Sequence, residues 1–176
     1  MLFRKAQEKD IPAIASIYSD IHTAEERGES SIGWIRSVYP TEHTARLALD
    51  RGDLFVAVSE DRVVGAAIIN QIQVDVYDGA NWQNPASPEQ VMVLHTLVIS
   101  PSAGRKGFGS SFVNFYEEYA RSQGCPFLRM DTNARNARAR ALYKKLGYQE
   151  IDVVPCVFNG IEGVNLVLLE KHLPLD

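Results

Sequence analysis

The amino-acid sequence predicts an α/β (α+β) protein with a mixed, mostly antiparallel central sheet flanked by helices. Three observations carry that expectation. Helical and strand periodicities alternate along the chain in the order β, α, α, β, β, β, α, β, α, β, β. The run VMVLHTLVI, residues 91 to 99, is nearly all apolar and rich in β-branched residues, as in a strand covered on both faces. A turn with glycines follows that run and opens directly into a helical pattern.

Residues 1 to 6 can form a short first strand. Asp10 is a candidate N-cap for a helix carrying Ile11, Ile14, Ala15, Ile17, Tyr18 and Ile21 on one face and ending near Gly28. A second helical region, Trp34 to Arg51, is interrupted by Pro40; Thr41 can cap the part after the proline and Gly52 can stop it. From Leu54 the period becomes that of strands. LFVAVSE and VVGAAIINQIQV flank a turn at Glu60 to Arg62, as in an antiparallel hairpin. Residues 75 to 90, rich in Asn, Asp, Pro and Gly, read as a loop before the buried run. After the turn Pro101 to Gly109, Phe112, Phe115, Tyr116 and Tyr119 recur at helical spacing up to Gln123. PFLRMD is a further strand, Ala137 to Leu146 a helix stopped by Gly147, and the tail two strands about an Asn159-Gly160 turn. With no repeat and no linker, residues 1–176 are expected to form one domain, long enough for a core without staples.

Composition narrows function by exclusion. Eighteen basic against twenty-two acidic residues give a formal charge of −4, so no overall positive field favours nucleic acid or an anionic membrane. The start MLFRKAQEKD has no apolar run, and nothing later approaches the ~20 apolar residues of a membrane span, which points to the cytoplasm. Cys125 and Cys156 are too few for a disulfide framework, and His22, His43, His95 and His172 are scattered, so no metal is expected.

The strongest local signal is GRKGFGSS, with Gly104, Gly107 and Gly109, between a buried strand and a helix. Glycines let the backbone approach a ligand, and the first helical turn offers N–H groups and a dipole to a phosphate. The glycine spacing alone leaves a phosphate site and a solvated turn equally open. Asp131 could imitate the ribose-binding acid of a dinucleotide fold, but the order here is G-x-x-G-x-G rather than G-x-G-x-x-G, and no Lys-Ser or Lys-Thr follows as in a triphosphate loop.

LHTLVISPSAGRKGFGSSFVNFYEEYA resembles the acetyl-CoA segment of the GCN5-related N-acetyltransferases (GNAT). NARARALYKKLGYQE, residues 136 to 150, resembles that family's next segment, N-x-x-A-x-x-L-Y-x-K-L-G-[FY]. Both occur in the family's order, behind a matching β-α-α-β-β start. One departure is Gly104, where relatives commonly carry Gln or Arg.

The resemblance implies a GNAT-type fold and transfer of acetyl from acetyl-CoA to an amine, with a non-catalytic acyl-CoA-binding or sensing module as the alternative. It implies that the pyrophosphate rests on Arg105, Lys106, Gly107, Phe108, Gly109 and Ser110, and that pantetheine pairs with Leu97, Val98 and Ile99, where relatives splay two parallel strands. Asn136 would bond the pantetheine or simply cap its helix. Tyr143 matches the family tyrosine that protonates the leaving thiolate, and His95 is the expected general base. Strict alternation places His95 on the same strand face as Leu97. The acceptor site is expected around Trp34 and Tyr39 and the loop Asp75, Tyr77, Asp78 and Trp82, whose acidic and aromatic residues suit a cation. A peptide N-terminus, a polyamine, an aminoglycoside and an amino acid all remain open as acceptors. The apolar GVNLVLLE is a candidate edge for a homodimer.

Overall fold

A computed structural model of the chain describes residues 1–103 and 106–174. Its elements in order are β1 (Leu2–Lys5), α1 (Ile11–Glu26), α2 (Glu42–Arg51), β2 (Leu54–Ser59), β3 (Arg62–Asn70), β4 (Val91–Ile99), α3 (Phe108–Ser122), β5 (Phe127–Asn133), α4 (Ala137–Lys145), β6 (Gln149–Phe158) and β7 (Ile161–His172). The strands make one seven-stranded sheet, β1-β2-β3-β4-β5-β7-β6, in which only β4 and β5 run parallel. The order and type of these elements match the sequence reading.

Local chemistry explains most boundaries. Thr41 forms a capping box with Thr44 at the start of α2, and Gly52, at φ 76, ends it in the left-handed region. Both tight hairpins turn on consecutive left-handed residues, Glu60-Asp61 and Asn159-Gly160, whose twist matches that of the strands they join. Two details differ from expectation. Asp10 holds the N-cap position of α1, but its side chain makes no capping bond to that helix: its carboxylate accepts from both Arg4 Nη atoms, at 2.7 and 2.9 Å, and from Gln7 N at 2.8 Å. Trp34–Tyr39 is not helical, because Pro40 disfavours helix in the residue before it and Ile35 and Tyr39 form a bridge instead.

Helices cover both faces. On one, Ile11, Ile14, Ile17, Tyr18 and Ile21 of α1 and Ala45 and Ala48 of α2 pack on Leu54, Val56, Ala66, Ile68 and Val98. On the other, Phe112, Val113, Tyr116 and Ala120 of α3 and Tyr143 of α4 pack on Phe55, Ala67, Ile69, Met92, Leu94, Leu128 and Met130. Truncating a fully buried ring such as Phe112 to Ala in this layer costs about 3–5 kcal/mol. The segment after β3 covers the remaining face of β5, β7 and β6 through Val74, Tyr77 and Trp82. GVNLVLLE, the expected free edge, lies in β7 between β5 and β6, so its main chain is paired on both sides; β6 is the edge strand on that side of the sheet. Among the described residues no helix is long and apolar enough to cross a membrane.

Candidate active site

The two parallel strands part in mid-sheet. β4 and β5 pair from Val91↔Phe127 to Leu94↔Met130, and no further. Tyr116 of α3 pins the paired end, its hydroxyl donating to Met92 O at 2.6 Å. Beyond it His95–Ile99 and Asp131–Asn133 carry main-chain groups that no strand pairs across the gap, the kind of edge an extended amide-bearing ligand can bond. The local cause sits on β4. Thr96 adopts φ 50, and the register with β3 shifts between Ala66 and Ile68, so that Thr96 and Leu97 together stand opposite Ala67.

That bulge resets the side-chain alternation. Val91 and Val93 face away from α3, and His95, paired with Ile68, follows them. Leu97 and Ile99 pack on the α3 side, while Val98 is buried under α1. His95 and Leu97 therefore lie on opposite faces of the sheet, a correction to strict alternation that only the inserted residue explains.

A cleft of about 140 Å³ opens at the gap. Of the residues proposed from sequence, His95, Leu97, Asn136, Tyr143, Trp34 and Tyr39 border it. Asn136 caps α4, its Oδ1 accepting from Ala139 N at 3.1 Å, which leaves its amide hydrogens for other partners. Gly107, at φ 75, starts α3, and the N–H groups of Phe108, Gly109 and Ser110 in its first turn have no acceptor within the helix. Lys106 and Gly107 are exposed, and Gly109 lies against α4, where a Cβ would stand 3.3 Å from Leu142 Cδ2. Gly104 and Arg105 lie outside the described residues.

The loop residues Asp75, Tyr77, Asp78 and Trp82 do not border this cleft. They line a second hollow with Arg129, whose guanidinium stacks 4.0 Å from the Trp82 ring centre. Tyr77 acts on the cleft indirectly, its hydroxyl donating to Asp131 Oδ2 at 2.6 Å.

Asp131 is the residue whose role the sequence reading missed. It shares a sheet side with Phe127 and Arg129 and borders the cleft as a carboxylate that makes no ion pair among the described residues. Burial raises its pKa to about 6, partly offset by the Tyr77 hydrogen bond. Its sequence signal was an acid in phase with Phe127 and Arg129 on the strand face opposite Leu128 and Met130. Burial, and then the Asp131 charge, raise the pKa of Tyr143, which keeps its hydroxyl protonated at neutral pH. His95 is pushed the other way, to about 4, by burial, against the opposing charge of Asp53. Its Nε2 lies 2.9 Å from Asn70 Oδ1, and the Asn70 amide is oriented by donating to Asp53 Oδ2 at 2.8 Å, so Nε2 carries the hydrogen. Tyr39, raised to about 12 chiefly by burial, shares a short hydrogen bond with Thr96 Oγ1 at the bulge. Among the described residues no group of three His, Cys, Asp or Glu is placed to hold a metal ion.

The family model described as Acetyltransferase (GNAT) family matches residues 12–148, well over half of the chain. The chain belongs to the GNAT acetyltransferase family. This GNAT chain is similar to N-acetyltransferase 8 of Homo sapiens, with 28% identity over 127 residues, 71% of this chain and 52% of that protein. It spans between a third and about half of the length of the curated relatives it matches. Its fold is that of a solved GNAT-family acetyltransferase from Streptococcus agalactiae 2603, with TM-score 0.82 and 21% identity over 98% of this chain and 95% of that one. The ribosomal-protein-S18-alanine N-acetyltransferase of Escherichia coli shares it at TM-score 0.64 and 18% identity, over 99% and 94% of the two chains.

Proposed function

We propose that this GNAT chain transfers the acetyl group of acetyl-CoA to a primary amine by direct attack in a ternary complex. The observation that carries the reading is the β4–β5 gap, bordered by Tyr143 on the α4 side and Asp131 on the other strand. Acetyl-CoA supplies the activated acetyl group. The unpaired main chain of Leu97, Val98 and Ile99 suits the amides of the pantetheine arm, with Asn136 beside it. The pyrophosphate suits the first turn of α3, where the amides of Phe108 to Ser110 are free of acceptors within the helix; Arg105 and Lys106 precede it in sequence.

Asp131 is the better-suited base. With its pKa near 6 it is ionised at neutral pH and can take a proton from the incoming ammonium. His95 borders the same cleft, but with Nε2 committed to Asn70 and protonation displaced to about 4, it is the weaker acceptor. Asp131 takes one proton of the ammonium. As the nitrogen–carbon bond forms and the carbon–sulfur bond breaks, the Tyr143 hydroxyl proton passes to sulfur. The second proton of the nitrogen, released as the amide forms, returns through solvent to the tyrosinate. A main-chain N–H of the Leu97–Ile99 stretch suits the charge that develops on the acetyl oxygen. Residues 1–176 act as one such domain, and the free thiols of Cys125 and Cys156 suit the reducing cytoplasm.

Release of free thiol from acetyl-CoA across a panel of amines tests the reading. Amine-dependent release is expected. Binding of coenzyme A with no release on any amine would leave an acyl-CoA-sensing module instead.

A further inference from the structure

The wall of the cleft away from α3 and α4 has a composition that selects among amines. Trp34, Tyr39, Val74, Phe158 and Ile161 form it, and Asp131 is its one acid among the described residues. Among those residues no Lys or Arg lines the cleft; the Arg135 guanidinium lies at its Gly33 end, 3.2 Å from where a Cβ on Gly33 would stand, away from Trp34, Tyr39 and Phe158. Trp34 and Tyr39 meet edge to face, with ring centres 6.0 Å apart. An ammonium brought to Trp34, Tyr39 and Phe158 finds one carboxylate and otherwise apolar and aromatic surface, while a carboxylate on the same molecule finds no Lys or Arg among the described lining residues and a like charge nearby.

The wall is also fixed, and it touches its neighbours at both ends. Glu25 of α1 accepts from Ser30 Oγ, Ile32 N and Gly33 N at 2.7 to 2.8 Å, and Arg36 grips Glu26 through two hydrogen bonds at 2.8 and 2.9 Å. At one end Gly33 is so close to β5 that an added Cβ would collide with the Asn133 amide. At the other, Val38 meets the β6–β7 turn, where a Cβ on Gly160 would stand 3.2 Å from Val38 Cγ1. A segment tied to α1 and touching both neighbours holds Trp34 and Tyr39 in place on the wall.

We infer, resting on the acetyl-transfer reading above, that the acceptor is a small monoamine with an apolar or aromatic body and no carboxylate, its nitrogen held at Asp131 and its body against Trp34, Tyr39 and Phe158. The alternatives are amino acids, polyamines, aminoglycosides and peptide N-termini, and each meets an obstacle on this wall: an unpaired carboxylate, further ammonium groups on apolar surface, or a polar main chain laid on the apolar and aromatic surface of Trp34, Tyr39 and Phe158.

The test measures kcat/KM with acetyl-CoA for 2-phenylethylamine, ethylamine, L-phenylalanine, spermidine and an alanine-initiated peptide. We expect 2-phenylethylamine to exceed L-phenylalanine by about 100-fold or more, the penalty of one uncompensated charge, and to exceed ethylamine by at least 10-fold, the share of an apolar pocket. Trp34→Ala, and independently Phe158→Ala, should each shrink the preference for 2-phenylethylamine over ethylamine by several-fold, with the thermal shift given by coenzyme A unchanged as the control for folding. Faster turnover of L-phenylalanine, spermidine or the peptide overturns the acceptor class while leaving acetyl transfer standing. Absence of turnover on every amine, with coenzyme A still bound, overturns acetyl transfer itself.

Discussion

Asp131 and His95 stand on one face of the two parted strands, and burial moves their protonation in opposite senses. Asp131, near 6 when folded against about 3.9 when free, holds an extra proton in the folded state between those values. Its contribution to stability therefore falls as pH rises through that window. His95, near 4 against about 6.5, binds its proton first in the unfolded state, so its contribution is lost as pH falls from about 6.5 towards 4. The two slopes oppose each other, and single substitutions should separate them. Asp131→Asn keeps an acceptor for the Tyr77 hydroxyl and is expected to raise Tm by about 2–4 °C at pH 8, roughly the effect of 1 kcal/mol, with no gain at pH 4.5. His95→Gln should gain at pH 4.5 and not at pH 8. Thermal melts across that range check both, and equal shifts at the two pH values would contradict the assignments. Tyr143→Phe keeps the ring packed on Tyr148 and removes the acid, so kcat should fall about 100-fold with coenzyme A binding unchanged. Full turnover in that variant would make Tyr143 a core residue only.

At the scale of elements, the junction between β4 and α3 is where backbone conformation meets the proposed phosphate site. Gly107 lies at φ 75, and a Cβ added to it would find nothing within 4 Å, so a side chain there meets no internal obstacle. The cost of Gly107→Val comes from the left-handed backbone, about 1–3 kcal/mol, and from a branched group at the start of α3. We expect it to abolish the coenzyme A thermal shift with the fold retained. Gly107→Asn, whose side chain tolerates this conformation, should keep more of the shift. Normal binding by Gly107→Val would remove the α3 turn from the phosphate site. The nine residues of β4 were legible as a strand from their apolar run, but the bulge within it was not. Thr96 carries no glycine or proline to announce a left-handed residue; its conformation is held by β3 and by the Tyr39 hydroxyl, both distant in sequence.

Across the whole molecule, the sheet is two parts joined through the short parallel rungs from Val91 to Leu94. A ligand lying in the gap bonds both parts, so coenzyme A should add about 2.7 kcal/mol of stability at 100 times its Kd. It should also slow amide hydrogen exchange in 95–99 and 131–133 more than elsewhere in the sheet, and NAD should do neither. Uniform or absent protection of those strands would count against pantetheine in the gap. The sequence by itself determined the order and type of the elements, the caps at Thr41 and Gly52, both hairpin turns and the strand–glycine turn–helix unit, because each depends on neighbours within a few residues. Tertiary structure alone decided which strand is the edge, that His95 and Leu97 face opposite ways, that Trp82 stacks on Arg129 outside the cleft, and that Asp131 is a half-buried acid bordering the cleft. Those outcomes depend on register and desolvation, which arise only when segments far apart in the chain pack together and exclude water.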